Sequence, residues 1–190
     1  MSFRNNDEGF TGLEAAIVLI AFVVVAAVFS YVVLGAGFFT TQKSQEVVHT
    51  GVSQASSTLE IVGNVYGVAT AAGGPIDNVN FSVALAPGGT SVDFSKVVMT
   101  YSNSSSLQTL QEGTKGALAS TSQWTIAEVQ NELTVDQTLE KGETFFINVK
   151  PNGGIIANDV FDISIQPSIG ASLGIHRTAP ASIQKVNILY

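Results

Sequence analysis

The sequence predicts an α+β protein, a long apolar N-terminal α-helix followed by an antiparallel, immunoglobulin-like β-sandwich. Three observations predict it. Ala15 to Phe39 contains no charged residue. Beyond Phe39, apolar residues recur at the helical period. After Gly63, they alternate at a period of two between Gly-, Pro- and Asn-rich turns.

The uncharged run is about 25 residues, enough to cross a bilayer as a tilted helix. About fifteen of its residues are Val, Ile, Leu or Phe, which together favour membrane insertion by roughly 5–9 kcal/mol. A cleaved secretory signal has an apolar region of only about 7–15 residues, ending in a small-residue cut site. This run is too long, and no such site ends it. Val48, Val52, Ala55, Leu59 and Val62 then extend an amphipathic stripe, and Gly63-Asn64 is the expected stop. A helix from Thr11 to Val62 spans about 50 residues, or roughly 75 Å.

The rest reads as strands. Val79, Phe81, Val83 and Leu85 alternate with polar or small residues, as do Phe145, Ile147 and Val149, and Phe161, Ile163 and Ile165. Weaker strands are expected at Val65–Ala71, Phe94–Tyr101, Ser122–Val129, Leu173–His176 and Ser182–Leu189. Gly73-Gly74-Pro75, Pro87-Gly88-Gly89, Lys141-Gly142 and Pro151-Asn152-Gly153-Gly154 separate them as turns. Short strands with no helices between them favour an antiparallel sandwich. The Ser/Thr-rich stretch from Ser102 to Ser122 is expected to be an exposed loop. Trp124 is expected in the core or at a subunit contact.

Charge and chemistry narrow the function. With a net charge of −7, the chain lacks the basic face that a nucleic-acid partner needs. With no cysteine, it has neither disulfides nor thiolate metal sites. There is no phosphate-binding loop, nucleophile elbow or zinc-hydrolase motif, so no catalytic residue and no cofactor is assigned. Asp77, Asp93, Asp136, Asp159 and Asp162 lack calcium-loop spacing and read as turn carboxylates. His49 and His176 fit no triad or metal spacing. Asn80-Phe81-Ser82 and Asn103-Ser104-Ser105 are glycosylation sequons. Asn80 should face away from the core, because Val79 and Phe81 face in.

Thr11-Gly12-Leu13-Glu14 fits a capping box, with Thr11 as N-cap and Glu14 three residues on. The wider window Gly9-Phe10-Thr11-Gly12-Leu13-Glu14, followed at once by the apolar run, resembles the processing site of type IV pilin-like precursors. The string Phe10 to Phe22 resembles archaeal flagellin (archaellin) in particular. Gly142-Glu143-Thr144-Phe145 and Val149-Lys150-Pro151 look, more weakly, like that family's outer domain.

The resemblance implies a life history. Residues 1–9 would be a cleaved class III signal peptide, 10–63 the helix, and 64–190 the outer domain. A prepilin-like peptidase would cut between Gly9 and Phe10. The helix would rest in the cytoplasmic membrane, and assembly machinery would then move it into the core of an extracellular helical filament, a homopolymer or one shared with related filament subunits. Phe10, Thr11 and Glu14 would take part in assembly, with the Glu14 carboxylate meeting the N-terminal amine of a neighbouring subunit. Asp7 and Glu8 stand where such precursors usually carry basic residues, and Arg4 is the one basic side chain before the cut.

Assembly also follows without the resemblance. A helix apolar on every face must be surrounded by lipid or by protein. Identical helices in a heterologous, non-closing array bury one another and make an open filament. Three readings remain at this level: a swimming filament, an adhesion pilus of the same superfamily, and a non-polymerising membrane-anchored surface-binding protein.

Overall fold

The structure is a computed structural model, and it describes residues 7–190. It divides into two compact units, 1–50 and 51–190.

The first unit is almost entirely the helix α1, Asp7–Ser56, whose 50 residues give about 75 Å at 1.5 Å per residue. Every side chain described along it is exposed. Its 41-residue apolar section, Gly12–Val52, has no buried window. Val, Ile and Phe are only middling helix formers in water, so this composition points to an apolar surround. Thr40, Thr41 and Thr50 each donate a hydroxyl hydrogen bond to the carbonyl four residues back, which satisfies them within the helix. Lys43 pairs with Glu46 at 2.6 Å where charge first returns.

Both ends of the helix differ from the sequence expectation. The backbone is already helical at Asp7, so Thr11 lies inside the helix and is not its N-cap. At the other end the helix stops at Ser56, not at Gly63. Leu59–Ile61 is a strand, β1, and Leu59 is a core residue rather than the last rung of a helical stripe. Ser57 and Thr58 are poor helix formers, and the Ser57 hydroxyl is paired with the Thr90 hydroxyl at 2.5 Å outside any helix.

The strands that follow are β2 (Val65–Ala69), β3 (Ile76–Leu85), β4 (Val92–Asp93), β5 (Val98–Asn103) and β6 (Leu107–Glu112). Then come β7 (Gln123–Gln130), β8 (Thr138–Leu139), β9 (Thr144–Lys150), β10 (Val160–Gln166), β11 (Leu173–Thr178) and β12 (Val186–Leu189). The main path runs β11-β10-β5-β6-β7-β9-β3-β2-β12, with β1 added on β3. The result is a mostly antiparallel β-sandwich. The exception is the short β6–β7 contact, which is parallel. The two ends of the path meet where the Thr178 amide donates to the Tyr190 carbonyl at 2.7 Å.

The strongly alternating segments form strands with the expected faces. Val79, Phe81 and Val83 of β3, Phe145, Ile147 and Val149 of β9, and Phe161, Ile163 and Ile165 of β10 are all buried. The expected strand Phe94–Tyr101 is instead a 3₁₀ turn, Phe94–Lys96, followed by β5. Asp93 caps that turn by accepting from the Ser95 amide at 3.1 Å, which frees Phe94 to point into the core. There Phe94 meets Trp124 and Phe145 edge-on, at 6.2 and 5.1 Å between ring centres. The stretch expected as a loop, Ser102 to Ser122, contains β6. Only Leu110 of that strand is buried, so its period-two signal is faint.

Candidate functional site

Two kinds of surface are candidates for function: the helix, and particular places on the sandwich. Glu14 lies in the first turns of α1 among Ala15, Val18 and Leu19, with its side chain exposed. From there to Lys43 no further charged residue interrupts the helix. A carboxylate on such a surface needs a cationic partner once water is removed. Gly9 and Phe10 lie in helical backbone, and the side chains of Phe10 and Thr11 fall outside the described residues, as does Arg4.

The two sequons sit in different settings. Asn80 is in the middle of β3, paired with Tyr66 of β2 on one side and Asn148 of β9 on the other. Its Oδ1 accepts from Asn148 Nδ2 at 2.5 Å, and Asn148 Oδ1 accepts from the Ala119 amide at 2.8 Å. Asn80 is therefore half-buried in an amide ladder rather than free above the sheet. Asn103 heads the turn between β5 and β6. Its Oδ1 accepts from the Ser105 and Ser106 amides at 3.0 and 2.8 Å, and its Nδ2 donates to Asp159 at 3.0 Å.

The turn carboxylates each have a partner. Asp77 accepts from the Thr70 hydroxyl and amide, and these bonds hold its carboxyl below the ordinary range. The Lys96 ammonium and Ser95 do the same for Asp93. Asp136 accepts from the Thr138 amide, and Asp162 faces His176 across β10–β11 at 2.7 Å. Among the described residues, no three His, Cys, Asp or Glu side chains come together as a metal site.

Two features were not legible in the sequence. The first is Glu143, a buried carboxylate whose oxygens accept from the Leu133 amide at 2.7 Å and the Glu140 amide at 2.9 Å. Its lone signal was its place in the Gly142-Glu143-Thr144-Phe145 string. The second is a hollow of about 220 Å³ on the outer face of β3, β9 and β7. Tyr66, Asn80, Leu118, Glu128, Phe146 and Asn148 are among the residues lining it. The segment between β6 and β7 bounds the hollow by draping Leu118 over the sheet, held by Gly113 to Trp124 and Gly116 to Ile126. Nothing local in the sequence announces that crossing.

The model for archaeal-type flagellin matches residues 9–177. "Probable flagellin 1" of Archaeoglobus fulgidus is 42% identical over 199 residues, covering 100% of this chain and 98% of that protein. The filament structure of the archaeal flagellum of Methanospirillum hungatei strain JF1 is similar, with a TM-score of 0.73 and 37% identity. That likeness covers 94% of this chain and 99% of the other. A crystal structure of an archaeal flagellin from Methanocaldococcus jannaschii shares the fold, with a TM-score of 0.59 at 21% identity. It covers 69% of this chain and 95% of that one.

Proposed function

The chain belongs to the archaeal-type flagellin family, and on that premise we propose how it works as a structural subunit of the archaeal flagellar filament. Membership in this family of structural filament subunits decides among the three readings left open by the sequence. The observation that carries the mechanism is α1, whose apolar surface is exposed around its whole circumference. One sandwich cannot enclose a helix about 75 Å long. Copies of the helix can enclose one another in a filament open to the cell exterior.

The steps before assembly are our reading. A prepilin-like peptidase cuts between Gly9 and Phe10. The helix stays in the cytoplasmic membrane until assembly machinery moves it into the filament. The transfer need not be costly, since lipid tails and apolar side chains are similar surroundings. Glu14 meets the new amine of Phe10 on a neighbouring subunit, and so each added subunit neutralises a carboxylate that would otherwise be buried alone. The helical backbone at Asp7 supports this order: residues 7–9 lengthen the helix end that a neighbour would have to approach.

We assign glycosylation to Asn103 in preference to Asn80. Asn103 stands at the end of β5 beside the exposed turn residues Ser104 and Ser105, whereas Asn80 lies mid-strand between two paired neighbours, β2 and β9. N-terminal sequencing and intact mass of sheared filaments test the whole scheme. The expected result is a chain beginning at Phe10 with glycan mass on the peptide carrying Asn103. Filaments whose subunits begin near Met1 would overturn the processing step, and glycan confined to Asn80 would overturn the site assignment.

A further inference from the structure

We propose that the loop between β7 and β8 is an assembly tip. Its apolar residues Leu133 and Val135 seat in the hollow on the outer face of β3, β9 and β7 of a second copy of this chain.

The tip is exposed and yet tightly held. Leu133 and Val135 are 72% and 87% exposed. A solvated loop needs no clamp, but this one has several. The buried Glu143 carboxylate accepts from the Leu133 amide and so grips the tip from beneath. Lys115, reaching from the segment before β7, pairs with Glu132 at 2.6 Å and also donates to the Asp136 carbonyl. Asp136 Oδ1 accepts from the Thr138 amide at 2.7 Å, and the Asp136 amide donates to the Thr134 carbonyl at 2.9 Å. Apolar side chains fixed in water on a rigid support have already lost the conformational entropy that binding would otherwise cost.

The hollow is the matching half. Phe146, Tyr66 and Leu118 present apolar surface around it, and Leu118 is itself exposed. A dry apolar cavity of about 150 Å³ admits a benzene ring, so 220 Å³ is room for an aliphatic tip. Two different patches on one chain, one convex and one concave, make a heterologous contact, which propagates as an open filament when its rotation does not close. A filament of copies of one chain requires such contacts, which is why the occupant is a second copy.

The chain contains no cysteine, which makes the test clean. Leu118→Cys and Val135→Cys are placed in separate full-length subunits and co-assembled, so only contact between copies can link them. Sheared mixed filaments are treated with a short bis-maleimide. The expected result is a covalent dimer in mixed filaments and none in filaments of either variant alone. Mixed filaments that yield no dimer would overturn the contact. An independent measurement uses Val135→Asp and Val135→Ile. Because Val135 is exposed, neither should alter folding. The charged variant should lower filament yield at least tenfold at equal membrane-held subunit, and the Ile variant should leave it unchanged. Normal yield with Val135→Asp would equally sink the proposal.

Discussion

Gly170 stands so close to Ser57 that a Cβ on it would lie 1.8 Å from the Ser57 carbonyl oxygen. Its φ of +111° is also one that side-chain-bearing residues rarely adopt. The segment leaving the helix is thus packed against the β10–β11 turn at a place that only glycine permits. Gly170→Ala should destabilise the sandwich by about 3 kcal/mol or more, since both the backbone strain and the clash must be relieved. Thermal unfolding of the detergent-dispersed chain measures this. An unchanged midpoint would mean that the turn can move away freely.

Glu143→Gln keeps the shape of a buried side chain but turns one acceptor into a donor. One of the two amides it holds, Leu133 or Glu140, then faces an NH₂ group. The expected loss is about 1.5–3 kcal/mol, the range for a charge-assisted bond in a buried setting. Denaturant unfolding at neutral pH is the measurement. Amide exchange at Leu133 should quicken along with it, because the tip loses its support from beneath.

Burial pushes the Tyr101 phenol up to about 12, and the nearby Asp159 carboxylate adds to the effect. The folded chain therefore keeps a proton that the unfolded chain releases near the ordinary value of 10. That stability is complete below pH 10 and is lost as pH rises toward 12. The Tyr101 hydroxyl also makes no well-formed hydrogen bond. Tyr101→Phe should therefore flatten the alkaline limb of the stability curve. At pH 7 it should leave stability within about 1 kcal/mol or raise it. An alkaline limb identical to that of the parent would assign the loss to other groups.

Glu14→Ala should allow cleavage after Gly9 yet reduce filament formation at least tenfold, about 1.4 kcal/mol or more per subunit added. Processed subunit in the membrane and filament in the sheared fraction are the two quantities to compare. Glu14→Gln should behave like Ala if charge pairing is the role, and like the parent if only hydrogen bonding matters. Full filament yield with both variants would remove Glu14 from assembly.

The strands with the clearest alternation could be read directly. Val79, Phe81 and Val83 obey a rule that needs no partner: successive residues of an extended chain face opposite sides. Leu59 could not be read that way. It fits the helical stripe from Val48 as well as a strand alternating with Ile61. Pairing with Leu85 across β1–β3 settles the matter by taking Leu59 into the core. Asn80 shows a similar limit. Its direction away from Val79 and Phe81 was legible, but its ladder to Asn148 and Ala119 joins residues far apart in the chain. Thr11 had every local mark of an N-cap and lies inside the helix, because the chain before it is helical too.

That a long helix without a polar face must find an apolar surround was legible from the residues alone, because hydropathy is a property of residues one by one. That most of the remainder alternates as strands was legible too, because that periodicity is local. The tertiary structure alone decided where the helix yields to β1, how Leu118 comes to roof a hollow on β9, and why Leu133 is held rigid by Glu143. Each of these depends on hydrogen bonds or burial between segments distant in the chain. No window of sequence contains both partners.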